Sequence, residues 1–183
     1  QSTNKVKISL NKKKNKIVFV GRLNKSKGYD VFGNSILKIL DKYNNWVSSV
    51  IGDEPRERLI FKHKNLNILG FKDHKFTLKE LSNSSICVVC SRWEEPFGRI
   101  ALEASSRGCA VIITNKGGLK EAVTNPLIIN KLNEKTLFNA IDKLISNTYL
   151  RKLLQKKSLK NFYLTNEFIS KKIDNYRENI IKS

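Results

Sequence analysis

Glu95 and Glu103 are separated by seven residues, Pro96-Phe97-Gly98-Arg99-Ile100-Ala101-Leu102, at a point where the character of the chain changes. The apolar run Ser85-Ile86-Cys87-Val88-Val89-Cys90 leads into the segment, and the helix-prone Ile100-Ala101-Leu102-Glu103-Ala104 leads out of it. A strand that turns into a helix at this point presents the first N–H groups of that helix without intrahelical partners, which suits an anion. Glycine at the turn, Gly98, lets a ligand approach the backbone closely. Carboxylates beside such a site disfavour a bare phosphate, but they accept hydrogen bonds from sugar hydroxyls. A ligand that carries both phosphates and hydroxyls, such as a nucleotide sugar, satisfies both features.

Gly21-Arg22-Leu23-Asn24-Lys25-Ser26-Lys27-Gly28 is a second candidate. Its glycine and Lys-Ser spacing is not that of a Walker A loop. Arg22 and Lys27 put a planar guanidinium and a point-charge ammonium at the start of a helix. That combination suits a diphosphate that gathers charge as it departs. An ordinary basic turn in a basic chain would look the same. Glu95 and Glu103 also have plainer explanations: complementing a helix macrodipole, worth about 0.3–1 kcal/mol each, or serving as the acid and base of a glycosidase. A glycosidase, however, has no use for a cationic diphosphate cradle.

The elements that would position these residues alternate along the chain. Residues 1–15 are polar, end in Asn11-Lys12-Lys13-Lys14-Asn15, and have the composition of a lead-in or inter-domain linker. Strands are expected over Ile17–Val20, Val47–Ile51, Leu66–Leu69, 85–90, 109–113 and Pro126–Ile129. Helices are expected over 28–43, near Pro55–Lys62, over 75–83 and 98–107, in a short turn from Gly117-Gly118 to Glu121, and throughout from Glu134 onward. Continuous apolar strands alternating with amphipathic helices predict a doubly wound, Rossmann-like α/β fold: a parallel sheet of about six strands with a helical C-terminal extension. Ligands of such sheets bind outside the carboxyl ends of the strands. The informative loops are therefore 21–28, 52–55, 70–75, 91–98 and 114–118, and both candidate segments fall among them.

The 183 residues, 40% of them apolar, suit one well-packed domain over residues 16–183. No apolar stretch approaches the ~20 residues that span a bilayer, and residues 1–5 lack a secretory layout. With no methionine, the sequence is expected to be a piece of a longer protein. A net charge of +19 suits a genome rich in Lys, Asn and Ile codons, an anionic membrane or acidic acceptor, or nucleic acid. The lysines are spread along the chain and no nucleic-acid motif accompanies them, which favours the first explanation and disfavours the last. Cys87 and Cys90 have Cys-x-x-Cys spacing, but on a strand they point to opposite faces about 10 Å apart. With Cys109 they are expected to be buried free thiols. His63 and His74 lack ligand-like partners at metal spacing and are expected to be surface or loop histidines.

Taken in order, Gly21-Arg22, Lys27-Gly28, the block Ser91-Arg92-Trp93-Glu94-Glu95-Pro96-Phe97-Gly98-Arg99 with Ala101-Leu102-Glu103-Ala104, then Gly117-Gly118 and Glu121, resemble the family 4 (group 1) glycosyltransferases. These are nucleotide-sugar enzymes of the GT-B architecture, in which two Rossmann-like domains face each other across a cleft. The resemblance covers about residues 16–181 and implies the C-terminal, donor-binding domain. It implies that Arg22 and Lys27 contact the donor diphosphate and stabilise its departure, and that Glu95 lies by the donor sugar. Phe97, Gly98 and Arg99 match the turn whose backbone meets sugar and phosphate, Gly21 opens the first loop, and Glu103 matches the carboxylate that binds the ribose. Phe71 and Lys72 would flank the nucleobase.

The resemblance further implies a retaining, hexosyl-type transfer with no metal or other cofactor. The acceptor would be a glycan or lipid-linked molecule, and the implied setting surface-polysaccharide or lipopolysaccharide assembly on the cytoplasmic face of a membrane. An N-terminal acceptor domain would be supplied elsewhere, so this chain alone is expected to bind donor without transferring sugar. The apolar positions Phe168, Ile169, Ile173, Tyr176 and Ile180 would then lie bare where the last helix returns towards that domain. Cys90, Glu54 and Lys120 stand where the family often has proline, glycine and proline, and Glu54 leaves the shape of its loop open. A separate donor subunit of a split enzyme and a basic nucleic-acid-binding domain remain as rivals.

Overall fold

The computed structural model describes residues 6–182. Its strands are β1 (Lys14–Val20), β2 (Val47–Ile51), β3 (Leu66–Ile68), β4 (Ser84–Val89), β5 (Ala110–Thr114) and β6 (Leu127–Ile129). They form one sheet in the order β3-β2-β1-β4-β5-β6, and every neighbouring pair is parallel. The helices are α1 (Tyr29–Lys42), α2 (His74–Asn83), α3 (Arg99–Ser106), the short α4 (Leu119–Ala122), α5 (Glu134–Ser146), α6 (Thr148–Lys160) and α7 (Asn166–Lys182). This is the six-stranded, doubly wound arrangement expected from the strand–helix alternation.

The strands read as unbroken apolar runs because both of their faces are buried. Ile17 and Phe19 of β1, Ile86 and Val88 of β4, and Ala110 and Ile112 of β5 pack with α1 and α5 on one face. The intervening Val18, Cys87, Val111 and Ile113 pack with Ala101, Leu102 and Ala104 of α3 on the other. The same alternation separates the thiols: Cys87 belongs to the second cluster and Cys90 to the first. All three cysteines are free and buried.

Two stretches depart from the sequence expectations. Pro55–Lys62 is not a helix. Glu57 N donates to Glu54 O in a tight turn, after which exposure alternates strictly. Leu59 and Phe61 turn inward onto the first core cluster, while Arg58, Ile60 and Lys62 face out. Phe61 meets the edge of Tyr29 at 5.4 Å between ring centroids. A helix would have sent Leu59 and Phe61 to opposite sides, so burial of both selects extended backbone. At the N-terminus, residues 10–15 are part of the folded body rather than a linker. Leu10–Lys12 form a short 3-10 turn, and Lys13 Nζ donates to the carbonyls of Leu81, Ser82 and Ser84 at 3.1, 3.2 and 2.6 Å. Residues 1–5 of the expected lead-in lie outside the described residues.

On α7, Ile169 packs against the second cluster, whereas Phe168, Ile173 and Tyr176 are 40%, 45% and 59% exposed. Among the described residues, no helix is long and apolar enough to cross a membrane.

Gly28 joins the first loop to α1 with φ 73°, and a Cβ there would lie 2.1 Å from the Cys90 carbonyl oxygen. Gly28→Ala is therefore expected to lower stability by at least about 2 kcal/mol, measured as a fall in the urea unfolding midpoint. Burial raises all three thiols, Cys90 to about 12. The native protein should thus resist a thiol reagent such as DTNB at about pH 8, and all three cysteines should react once urea unfolds it.

Candidate functional site

The loops that follow β1, β2, β3, β4 and β5 leave the sheet at one edge, and hydrogen bonds lace them together. Gly21 N donates to Ile51 O at 3.0 Å, and Leu23 N donates to Asp53 O at 3.2 Å. The Asn24 side chain accepts from Lys27 N at 3.1 Å and from Ser26 Oγ at 2.9 Å, winding Lys25–Lys27 into a 3-10 turn. That turn carries Lys27 across to the loop after β4, where its ammonium pairs with the Glu95 carboxylate. Arg92 reinforces the junction: its Nη1 and Nη2 grip Asp30 of α1 at 2.6 and 2.8 Å, and its backbone N donates to Ser26 O.

The loop after β5 supports Glu95 from beneath. Gly118 N donates to Glu95 O at 2.7 Å, and Lys116 pairs with Glu94 at 2.7 Å. A Cβ on Gly117 would lie 2.3 Å from Glu95 O, so only glycine lets the two loops approach this closely. Glu54 is turned out of contention as well. Its carboxylate accepts from Arg56 Nε at 2.9 Å and Asn24 Nδ2 at 3.3 Å, and the Arg56 hydrogen bond holds it below the usual carboxylate range.

Between these loops lies a cleft. Its wider part, about 400 Å³, is walled by Arg22, by Phe71 and Lys72 after β3, by His74 of α2, and by Arg99 and Glu103 of α3. A smaller part, about 200 Å³, is lined by Lys27, Ser91, Glu95 and Gly98. Val20, Gly21, Arg99 and Ile100 line both parts, so the two adjoin. Arg22, Lys27, Glu95 and Glu103, two cations and two carboxylates distant in sequence, therefore share one cleft. Phe71 stands 77% exposed at its rim. Phe97 turns the other way, onto the second core cluster, leaving Gly98 and Arg99 to face the cleft from that turn.

Glu103 is only 3% exposed. Its Oε1 accepts from Arg99 Nε at 2.8 Å and from His74 Nε2 at 2.9 Å. Its Oε2 is buried and has no hydrogen-bond partner among the described residues. His74 is exposed, as expected of a surface histidine, but it is not isolated, and sequence reasoning missed its partner, which lies 29 positions away on another helix. His63 keeps a local role, its Nδ1 accepting from Asn65 N at 3.0 Å. Among the described residues no group of three or more His, Cys, Asp or Glu side chains is placed to hold a metal ion.

The comparisons fit this geometry. The sequence matches the family Glycosyl transferases group 1 over residues 1–161. The chain belongs to this family. It is 30% identical over 157 residues to the Uncharacterized glycosyltransferase MJ1607 of Methanocaldococcus jannaschii, covering 80% of this chain and 40% of that protein. It is 29% identical over 175 residues to the Uncharacterized 41.2 kDa protein in cps region of Klebsiella pneumoniae, covering 94% of this chain and 47% of that one. The chain thus spans less than half the length of these relatives.

Among solved structures, the C-terminal domain of the group 1 glycosyl transferase LpcC from Francisella tularensis superposes with a TM-score of 0.71 at 29% identity, covering 79% of this chain and 82% of that domain. Anabaena HepE, solved with UDP-glucose, shares the fold with a TM-score of 0.76 at 17% identity, over 91% of this chain and 49% of that one. This group 1 chain accordingly has the fold of a C-terminal domain of GT-B type.

The Asp30–Arg92 clamp yields a pH test. Burial draws the Asp30 carboxyl upward, but the Arg92 hydrogen bonds and charge outweigh it, so the group titrates below its ordinary value. A carboxyl depressed on folding contributes stability above its unfolded pKa of about 4 and loses it as pH falls through the lower, folded value. Asp30→Asn should therefore lower the urea midpoint at about pH 6, and the gap to the unsubstituted protein should close towards about pH 2.5.

Proposed function

We propose that this domain holds a nucleoside diphosphate sugar in the cleft and presents it for hexosyl transfer, with retained anomeric configuration, to a glycan or lipid-linked acceptor. The observation that carries the proposal is Glu103, which lines the cleft that also gathers Arg22, Lys27 and Glu95 and whose buried Oε2 has no hydrogen-bond donor among the described residues. A buried acceptor left unmatched costs about 1–3 kcal/mol, and more when charged. A ribose hydroxyl supplies the missing donor.

The remaining roles follow from charge and position. Arg22 and Lys27 neutralise the diphosphate, aided by the N-terminus of α3 at Gly98 and Arg99, and so stabilise it as the leaving group. Glu95, now paired with Lys27, accepts hydrogen bonds from the sugar once the diphosphate engages that ammonium. Phe71 and Lys72 flank the base, with the exposed ring of Phe71 as a stacking face. With these cations in place the transfer calls on no metal or other cofactor. The acceptor is held by the portion that longer relatives carry beyond the span matched here, whether on the same chain or on a separate subunit. The match to a protein of a cps region supports surface-polysaccharide or lipopolysaccharide assembly at the cytoplasmic face of a membrane, where a chain of charge +19 would meet anionic lipid.

Calorimetric titration with UDP, GDP and their sugars tests the proposal. At least one should bind, without any sugar transfer by this chain alone. Arg22→Ala and Lys27→Ala should each weaken binding by about 1.5–3 kcal/mol, the range of a charge-assisted hydrogen bond. Glu95→Gln should weaken the nucleotide sugar more than the bare nucleoside diphosphate. Absence of binding by all of them, or DNA retention that survives loss of Arg22 and Lys27, would overturn it.

A further inference from the structure

We propose that His74 is a positioning residue for the donor's ribose, acting through Glu103. The proposal rests on the donor-binding function above and adds a residue from a different helix. His74 is the first residue of α2, and its place is set by Asp73 before it. Asp73 Oδ1 accepts from Phe76 N at 2.7 Å, and its carbonyl accepts from Thr77 N at 3.1 Å and Thr77 Oγ1 at 3.0 Å. This fixes the turn so that the imidazole reaches across the cleft wall to α3.

Glu103 is ion-paired there with Arg99, so its Oε1 is an acceptor and His74 Nε2 carries the hydrogen. The 3.5 Å approach of Arg99 Nη2 to the same nitrogen is then a contact between two donors, not a hydrogen bond. Two donors converge on Oε1, one from the same helix and one from α2. Together they hold the carboxylate plane and leave Oε2 as the oxygen without a protein donor. Arg99 alone is a poor tether: its side chain is long, flexible and one helical turn away, an arrangement worth little by itself. The imidazole has only two rotatable bonds and joins the carboxylate to the very loop that carries Phe71 and Lys72. His74 therefore ties the ribose contact to the base-flanking loop.

The test uses whichever of UDP, GDP or ADP this chain binds, together with its 2′,3′-dideoxy counterpart, by calorimetry. His74→Phe should weaken the ribonucleotide by about tenfold, the scale of a lost hydrogen bond to a charged group, while changing the dideoxy affinity by less than about twofold. His74→Gln, whose amide nitrogen reaches the place of Nε2, should recover most of the loss. Glu103→Gln should abolish the preference for the ribonucleotide. If the Phe variant does not fold, His74→Ala takes its place, with circular dichroism and the thermal midpoint as controls. Unchanged affinity, or equal weakening of both ligands, would show a merely structural histidine and overturn the proposal. Failure of the unsubstituted chain to bind any of the three would instead overturn the donor-binding function itself, and the proposal with it.

Discussion

The site depends on the strand order, which reverses direction between β1 and β4. Strands to one side of that seam follow β1 outward through β2 and β3, and those to the other side follow β4 through β5 and β6. The helix after β1 packs on one face of the sheet, and the helix after β4 packs on the other. The two loops must therefore diverge, and a crevice opens at the carboxyl ends of the strands between them. Every residue proposed to touch the donor hangs from this crevice or the loops beside it.

Divergent loops would be mobile without something to span them, and the chain spans them with charge. Lys27 reaches from the first loop to Glu95 on the second, and Arg92 reaches back from the second to Asp30 and Ser26. The Lys27–Glu95 pair is largely shielded, with 24% and 13% of its side chains exposed. Shielding makes such a pair costly to break unless another charge replaces the one removed. A diphosphate is such a replacement for the carboxylate, and sugar hydroxyls can satisfy the carboxylate in turn. The arrangement therefore favours a ligand that brings both groups together over one that brings either alone.

Glu54 illustrates how a departure from the family pattern is accommodated. A carboxylate close to a diphosphate loop would oppose its anionic ligand. Arg56, two residues on, turns the group aside, and Asn24 donates a second bond to it while capping the turn that carries Lys27. An apparent liability thus helps hold the first loop in shape.

Much of this was legible in the residues themselves. Strand runs such as Ile17–Val20 and Val47–Ile51, the turn at Gly98 and the two carboxylates with seven residues between them are local signals, set by period, glycine placement and hydrogen-bonding chemistry. They determined a parallel sheet and the edge at which the candidate site lies. The extended path of Pro55–Lys62 was not legible, because a proline followed by charged and apolar residues suits a helix until the core claims both Leu59 and Phe61. Nor was His74. A histidine's role is fixed by what faces it, and Glu103 comes to face it only when α2 and α3 pack side by side on the same sheet. Sequence determined which groups were available; only the packing of distant elements decided which of them would meet.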